Sequence, residues 1–156
     1  MITWNCFENC SSLTSISIPN SVSFISDGAF KNCSSLTSIY IPNSVTIIGE
    51  AFIGCKKLTT VTISETVEYI GNNAFAQCEN IEDVFCFAEK LPKTETSAFD
   101  KSYPEYATLH VPAVAISKYK PTAPWSSFGI IVALSDGDEP VVPEKKCAIG
   151  TCPSST

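Results

Sequence analysis

Eight cysteines and a single histidine are the residues of this 156-residue chain best suited to covalent or metal chemistry. Cys10 and Cys33 are each followed by serines, which invites a search for a nucleophile. A thiol becomes one only with a base within reach, and the one histidine, His110, lies outside the part of the chain that carries these cysteines. His110 in turn has no cysteine, aspartate or second histidine at metal-ligand spacing, so neither zinc nor a triad is expected around it. Asp136-Gly137-Asp138-Glu139 could attract calcium, yet the remaining ligands of a loop site are missing and a solvated linker is the reading taken. Asn9-Cys10-Ser11 and Asn32-Cys33-Ser34 match a glycosylation pattern only nominally. The sequence therefore leads to no catalytic residue, no metal and no cofactor.

The positions of the cysteines are more informative than their chemistry. Cys10, Cys33, Cys55 and Cys78 recur at steps of 23, 22 and 23 residues, and Phe7, Phe30, Phe52 and Phe75 recur with them. A period of this length means stacked turns, each a unit that buries its apolar edge only against its neighbours. Cys6 falls where other turns have Ala29, Ala51 and Ala74, and Cys86 aligns with Ile18, Ile41 and Ile63. All six are expected in the core, where a free cysteine packs as a small apolar residue. Stacked strands lie about 4.8 Å apart, close enough for a disulfide, but parallel Cβ vectors fit its dihedral poorly, so reduced thiols are expected. Cys147 and Cys152 lie outside the repeats and either pair or are incidental.

Within each turn, Leu13, Ile16 and Ile18 recur as Leu36, Ile39 and Ile41, as Leu58, Val61 and Ile63, and as Ile81, Val84 and Cys86. The alternation of the last two with polar residues reads as a short strand, and stacking makes these strands a parallel sheet. Pro19 and Pro42 end the strand, and Asn20-Ser21 and Asn43-Ser44 turn the chain. A second extended piece follows at Val22 to Ile25, Val45 to Ile48 and Val67 to Ile70, after which Gly49 and Gly71 relax the backbone. Ala-Phe-x-x-Cys then reads as a tight helical turn that drives Phe and Cys inward.

The register changes after Cys78, although Ala98-Phe99 repeats the block once more. Thr108 to Val111 reads as a strand, Ala113 to Tyr119 as a helix begun by Pro112, and Ile130 to Leu134 as a last strand. The expected organisation is repeats over residues 1–88, a C-terminal α/β cap over 89–134 and a mobile acidic, proline-rich tail over 135–156. The fold class is a solenoid of about four turns, mainly β, with short parallel strands and helical turns. It is expected to be right-handed, as parallel crossovers almost always are.

The net charge of −6, ten scattered lysines and no arginine argue against nucleic acid, whose phosphates need a basic stripe. No run of about 18 apolar residues exists, so no transmembrane helix is expected. Met1-Ile2-Thr3-Trp4 lacks the charged and apolar regions of a signal peptide, and Trp4 to Cys10 reads as the end of a repeat begun upstream. A piece of a longer protein is therefore expected.

The block Leu-x-x-Ile-x-Ile-Pro-x-x-Val-x-x-Ile-Gly-x-x-Ala-Phe-x-x-Cys resembles the BspA-like, Treponema-type leucine-rich repeat. The likeness covers residues 4–88, as in Ile39-Tyr40-Ile41-Pro42-Asn43-Ser44-Val45 with Ile48-Gly49-Glu50-Ala51-Phe52. Ala107 to Tyr119, with Trp125 and Phe128, resembles the closing module of many such proteins from Bacteroides-like bacteria. Ser26 stands in place of the usual glycine, and Ser64-Glu65 in place of Pro-Asn. The resemblance implies an extracellular or surface-anchored protein that binds host or microbial partners without catalysis, and it implies no particular binding residues.

If the inward columns are scaffold, function belongs to the outward ones. On the main sheet these are Ser17, Tyr40, Thr62 and Phe85 beside Ser15, Ser38, Thr60 and Asp83. Two aromatic groups on a hydroxyl-lined surface suit a protein or glycan partner, with Tyr40 and Phe85 as anchors. The competing reading makes the serines and threonines strand formers and covers Phe85 with the cap. A second column, Phe24, Ile47 and Tyr69, is a self-association stripe if exposed and core if the corner folds inward; the core reading is favoured. A structural spacer or self-assembly repeat is the alternative to a binding module.

Overall fold

A computed structural model describes residues 1–138. Its strands stack in parallel into two sheets. Strands β2 (Ser38–Ile41), β4 (Thr60–Ile63), β6 (Asp83–Cys86), β8 (Thr108–Val111) and β9 (Ile130–Ala133) form one. The two-residue strands β1 (Phe24–Ile25), β3 (Ile47–Ile48), β5 (Tyr69–Ile70) and β7 (Lys93–Thr94) form the other. Sequence period becomes sheet register directly: Ile39 pairs with Val61 and Val61 with Val84, while Ile25 pairs with Ile48 and Ile48 with Ile70. The chain is thus a leucine-rich-repeat solenoid.

A third ladder runs along the Ala-Phe turns. The Phe7 N–H donates to the Ala29 carbonyl at 2.7 Å, Phe30 to Ala51 at 2.8 Å, Phe52 to Ala74 at 2.8 Å and Phe75 to Ala98 at 2.7 Å. These segments are hydrogen-bonded turns, not the helical turns expected. The residue before Cys10, Cys33, Cys55, Cys78 and, one turn further on, Ser102 is left-handed, with φ of 60° at Asn9, 58° at Asn32, 77° at Gly54, 57° at Gln77 and 57° at Lys101. Asparagine and glycine tolerate this conformation best, and a left-handed residue interrupts any helix. Gly49 and Gly71, by contrast, are not left-handed. A Cβ on Gly49 would stand 2.3 Å from the Asp27 carboxylate of the preceding turn, so close approach is its reason there.

The inner columns fill the space between the ladders. Phe7, Phe30, Phe52, Phe75 and Phe99 form one stack, with successive ring centroids 5.2, 5.1, 5.2 and 5.5 Å apart. The stack ends against Trp125 and Phe128, which meet Phe99 edge-on at 5.5 and 5.2 Å. Edge-to-face geometry satisfies the ring quadrupole and stops a column that parallel stacking would prolong. Trp125 belongs to a short 3₁₀ turn, Trp125–Ser127, and packs on Tyr119 of the one-turn helix α1 (Ile116–Tyr119). The Tyr119 hydroxyl donates to the Ala88 carbonyl at 2.7 Å.

Segment 89–134, expected to close the solenoid, adds β7, β8 and β9 to the same two sheets. At the opposite end the expected strand over Ile16 to Ile18 reduces to a single bridge at Ser17, although Ile16 and Ile18 are buried. Ile2 covers β1 through a parallel bridge to Ile25. The departure at Ser64 has a local cause: its buried hydroxyl donates to the Pro42 carbonyl at 2.9 Å, tying the third corner to the second.

Candidate functional site

Because β-strand side chains alternate, burying Ile39, Val61 and Val84 turns their neighbours outward. One row of this face is Ser38, Thr60, Asp83, Thr108 and Ile130, and the next is Tyr40, Thr62, Phe85, His110 and Val132. A groove of about 240 Å³ lies on it, lined by Ser15, Ser38, Tyr40, Thr60, Thr62 and Phe85 and also by Phe87, Gly137 and Asp138. Six of the eight residues picked from sequence therefore meet in one place. Ser17 and Asp83 do not line it.

Asp83 has a different partner. Its Oδ1 lies 2.9 Å from Nε2 of His110, whose ring stacks on Phe85 at 4.2 Å and 12°. Linear spacing hid this pair because the two residues are 27 positions apart on neighbouring strands. Laying Thr108 to Val111 in register beside Asp83 to Cys86 was the signal that could have found it. The contacts hold the imidazole between a carboxylate and a ring, which braces Phe85 and supplies no nucleophile. Among the described residues no group of three metal-ligating side chains gathers.

The Ser135–Asp138 turn also lines the groove, through Gly137 and Asp138. The Asp138 carboxylate accepts from the Ser135 N–H and hydroxyl, both at 2.8 Å, and the Ser135 carbonyl accepts from the Asp138 N–H at 2.9 Å. These donors, the backbone one foremost, hold the Asp138 carboxyl below its ordinary range, so it carries its charge at neutral pH. The four described residues of the expected mobile tail thus form a closed turn beside the groove; the rest of that tail, including Cys147 and Cys152, lies outside the described residues.

The cysteine column is scaffold. Cys33, Cys55 and Cys78 are fully buried, and each thiol donates to the phenylalanine carbonyl of the preceding turn: to Phe7 at 3.1 Å, Phe30 at 3.2 Å and Phe52 at 3.1 Å. Burial, with Cys55 and Cys10 alongside, pushes the Cys33 thiol up to about 12. The Cys55 thiol is raised by its neighbour Cys78 and by burial, and the Cys86 thiol by burial. Such thiols are neutral and inert at pH 7. In the next turn Ser102 takes the cysteine's place, donating to the Phe75 carbonyl and accepting from the Cys78 N–H at 3.0 Å. The sequence reading missed this residue.

Two expectations are corrected. Cys6 is half-buried and disulfide-bonded, not a free core thiol. Cys10, Cys33, Cys55, Cys78 and Cys86 are free. The column Phe24, Ile47 and Tyr69 faces outward, since its neighbours Ile25, Ile48 and Ile70 are the buried ones. Ile47 is 38% exposed. Tyr69 is engaged, its hydroxyl donating to Glu95 at 3.1 Å while Lys93 sits 5.9 Å above the ring.

Parallel turns of about 23 residues, a carbonyl-capping cysteine and an outward groove define a leucine-rich-repeat interaction scaffold. The chain belongs to the BspA-type leucine-rich repeat family: residues 1–119 match the BspA type leucine rich repeat region in six copies. The match runs past residue 88 into the segment that carries β7 and β8. Modules of this family serve protein interaction or adhesion and are typically non-enzymatic. No curated protein matches the chain. No described helix is long and apolar enough to cross a membrane.

Proposed function

We propose that this chain is a non-catalytic binding module of a secreted or cell-surface protein, engaging a host or microbial protein or glycan through the outward face of the main sheet. The observation that carries this reading is the groove itself, in which Tyr40, Phe85 and Phe87 stand among the hydroxyls of Ser15, Ser38, Thr60 and Thr62. Aromatic groups supply most of the energy of such contacts, and hydroxyls supply adaptable hydrogen bonds. A pull-down with surface extracts tests it. Tyr40→Ala and Phe85→Ala together abolish capture of partners, and capture unchanged by the double substitution refutes the reading.

A second reading has its own observation. Ile47, flanked by half-buried Phe24 and Tyr69, puts an apolar stripe on the outer face of the smaller sheet, which suits self-association of a spacer. Concentration-dependent sedimentation that vanishes on Ile47→Ser supports it, and a monomer at every concentration rejects it.

A further inference from the structure

The outward column Ser17, Tyr40, Thr62, Phe85, His110 carries a ring at its second, fourth and fifth positions and a short side chain at its third. Tyr40 is in register with Thr62, Thr62 with Phe85, and Phe85 with His110. Inside the protein, the phenylalanine column shows what an unbroken stack looks like, with one ring per turn 5.1 to 5.2 Å from the next. Outside, Phe85 and His110 already stack at 4.2 Å. Two strand spacings separate Tyr40 from Phe85, about 9.6 Å, which leaves the thickness of one planar group above Thr62. From Tyr40 to His110 the column is an aromatic stack with one member missing.

The chemistry around the gap selects what fills it. Asp138 lines the groove with its Oδ2 held by Ser135, and among the described residues no lysine lines it. The chain contains no arginine of its own and carries a net charge of −6. A guanidinium is planar, stacks on rings by both faces and meets a carboxylate through a fork of N–H donors. An ammonium shares the charge but not the plane, and a sugar ring shares neither. We propose that the gap above Thr62, between Tyr40 and Phe85, receives the guanidinium of an arginine presented by a partner protein, with Asp138 as its carboxylate acceptor. This inference rests on the proposed use of the sheet face and specifies the chemistry of its occupant.

The test is an NMR titration of the whole chain with the blocked peptide acetyl-Gly-Gly-Arg-Gly-Gly-amide, its lysine, citrulline and tryptophan counterparts, and a panel of neutral oligosaccharides. The arginine peptide moves the Tyr40, Thr62 and Phe85 signals saturably, and citrulline, planar but uncharged, binds about tenfold more weakly. Thr62→Phe completes the stack from within and removes arginine binding, while the remaining amide spectrum shows the fold intact. Asp138→Asn brings the arginine affinity down to that of citrulline. Arginine binding that survives Thr62→Phe overturns the slot, as does a lysine or tryptophan peptide that binds as well as arginine. Oligosaccharides that move these signals where the arginine peptide does not overturn the occupant and leave the sheet-face reading standing. No shift with any probe overturns the inference, and the pull-down with Tyr40→Ala and Phe85→Ala then decides the sheet-face reading independently.

Discussion

Ser102 offers the sharpest check on how the turns are joined. Its hydroxyl, 2% exposed with the rest of the side chain, bridges the Cys78 N–H and the Phe75 carbonyl, two backbone groups of the preceding turn. Ser102→Ala takes away the partner of both. Leaving a buried donor or acceptor unpaired costs about 1–3 kcal/mol each, so a rigid response would cost about 2–6 kcal/mol. The turn can relax, however, because in the two preceding turns the cysteine N–H bonds the phenylalanine carbonyl directly: Cys33 to Phe30 at 3.2 Å and Cys55 to Phe52 at 3.3 Å. Closing the Cys78–Phe75 pair the same way recovers part of the loss, and the expected net cost is about 2 kcal/mol. For a chain of this size that lowers Tm by about 4–8 °C. Ser102→Cys restores the thiol donor that Cys33, Cys55 and Cys78 use and stays within about 1 kcal/mol of the parent. Thermal and urea unfolding followed by circular dichroism give the stabilities, and hydrogen exchange of the Cys78 amide reports the local bond. An alanine variant within about 0.5 kcal/mol of the parent, with unchanged Cys78 protection, refutes the reasoning, as does a cysteine variant no better than alanine.

Phe52→Ala removes the middle ring of the internal stack, 5.1 Å from Phe30 and 5.2 Å from Phe75, and is expected to cost about 3–5 kcal/mol, measured by urea unfolding. The buried thiols of Cys33, Cys55 and Cys86 should resist a disulfide reagent at pH 8 until denaturant is added, because burial holds each in its neutral form, Cys33 up to about 12. The sign for stability follows: the unfolded thiol ionises near 9, the folded one does not, and this contribution, present below pH 9, is lost as pH rises towards 12, so Tm falls over that window. A double-substitution cycle on Asp83 and His110 should give a coupling of only about 0.2–1 kcal/mol, since the pair is partly exposed, while loosening Phe85 enough to change its ring signals in NMR.

Much of the fold was legible because the same side chains recur at the same places. The pairs Ile16 and Ile18, Ile39 and Ile41, and Val61 and Ile63 name the buried face of the sheet, and the face opposite follows from alternation. Tyr40, Thr62 and Phe85 were found in this way. Departures from repetition were harder to read. Ser102 does the work of a cysteine without resembling one, and the left-handed residue before Cys10, Cys33, Cys55 and Cys78 makes a turn where spacing alone suggests a helix. Phe24, Ile47 and Tyr69 sit on strands of two residues, too short for alternation to show which way they face.

The sequence by itself determined the period, the columns of the core and the residues available on the main sheet, because every turn repeats one local balance of burial and hydrogen bonding and stacking converts period into register. Only the tertiary structure decided how that face becomes a site. The Asp83–His110 pair, the bracing of Phe85 and the placement of Asp138 in the groove lining join residues with no periodic relation to one another. Such contacts arise from where the chain goes after the repeats end, and no column of the repeat encodes them.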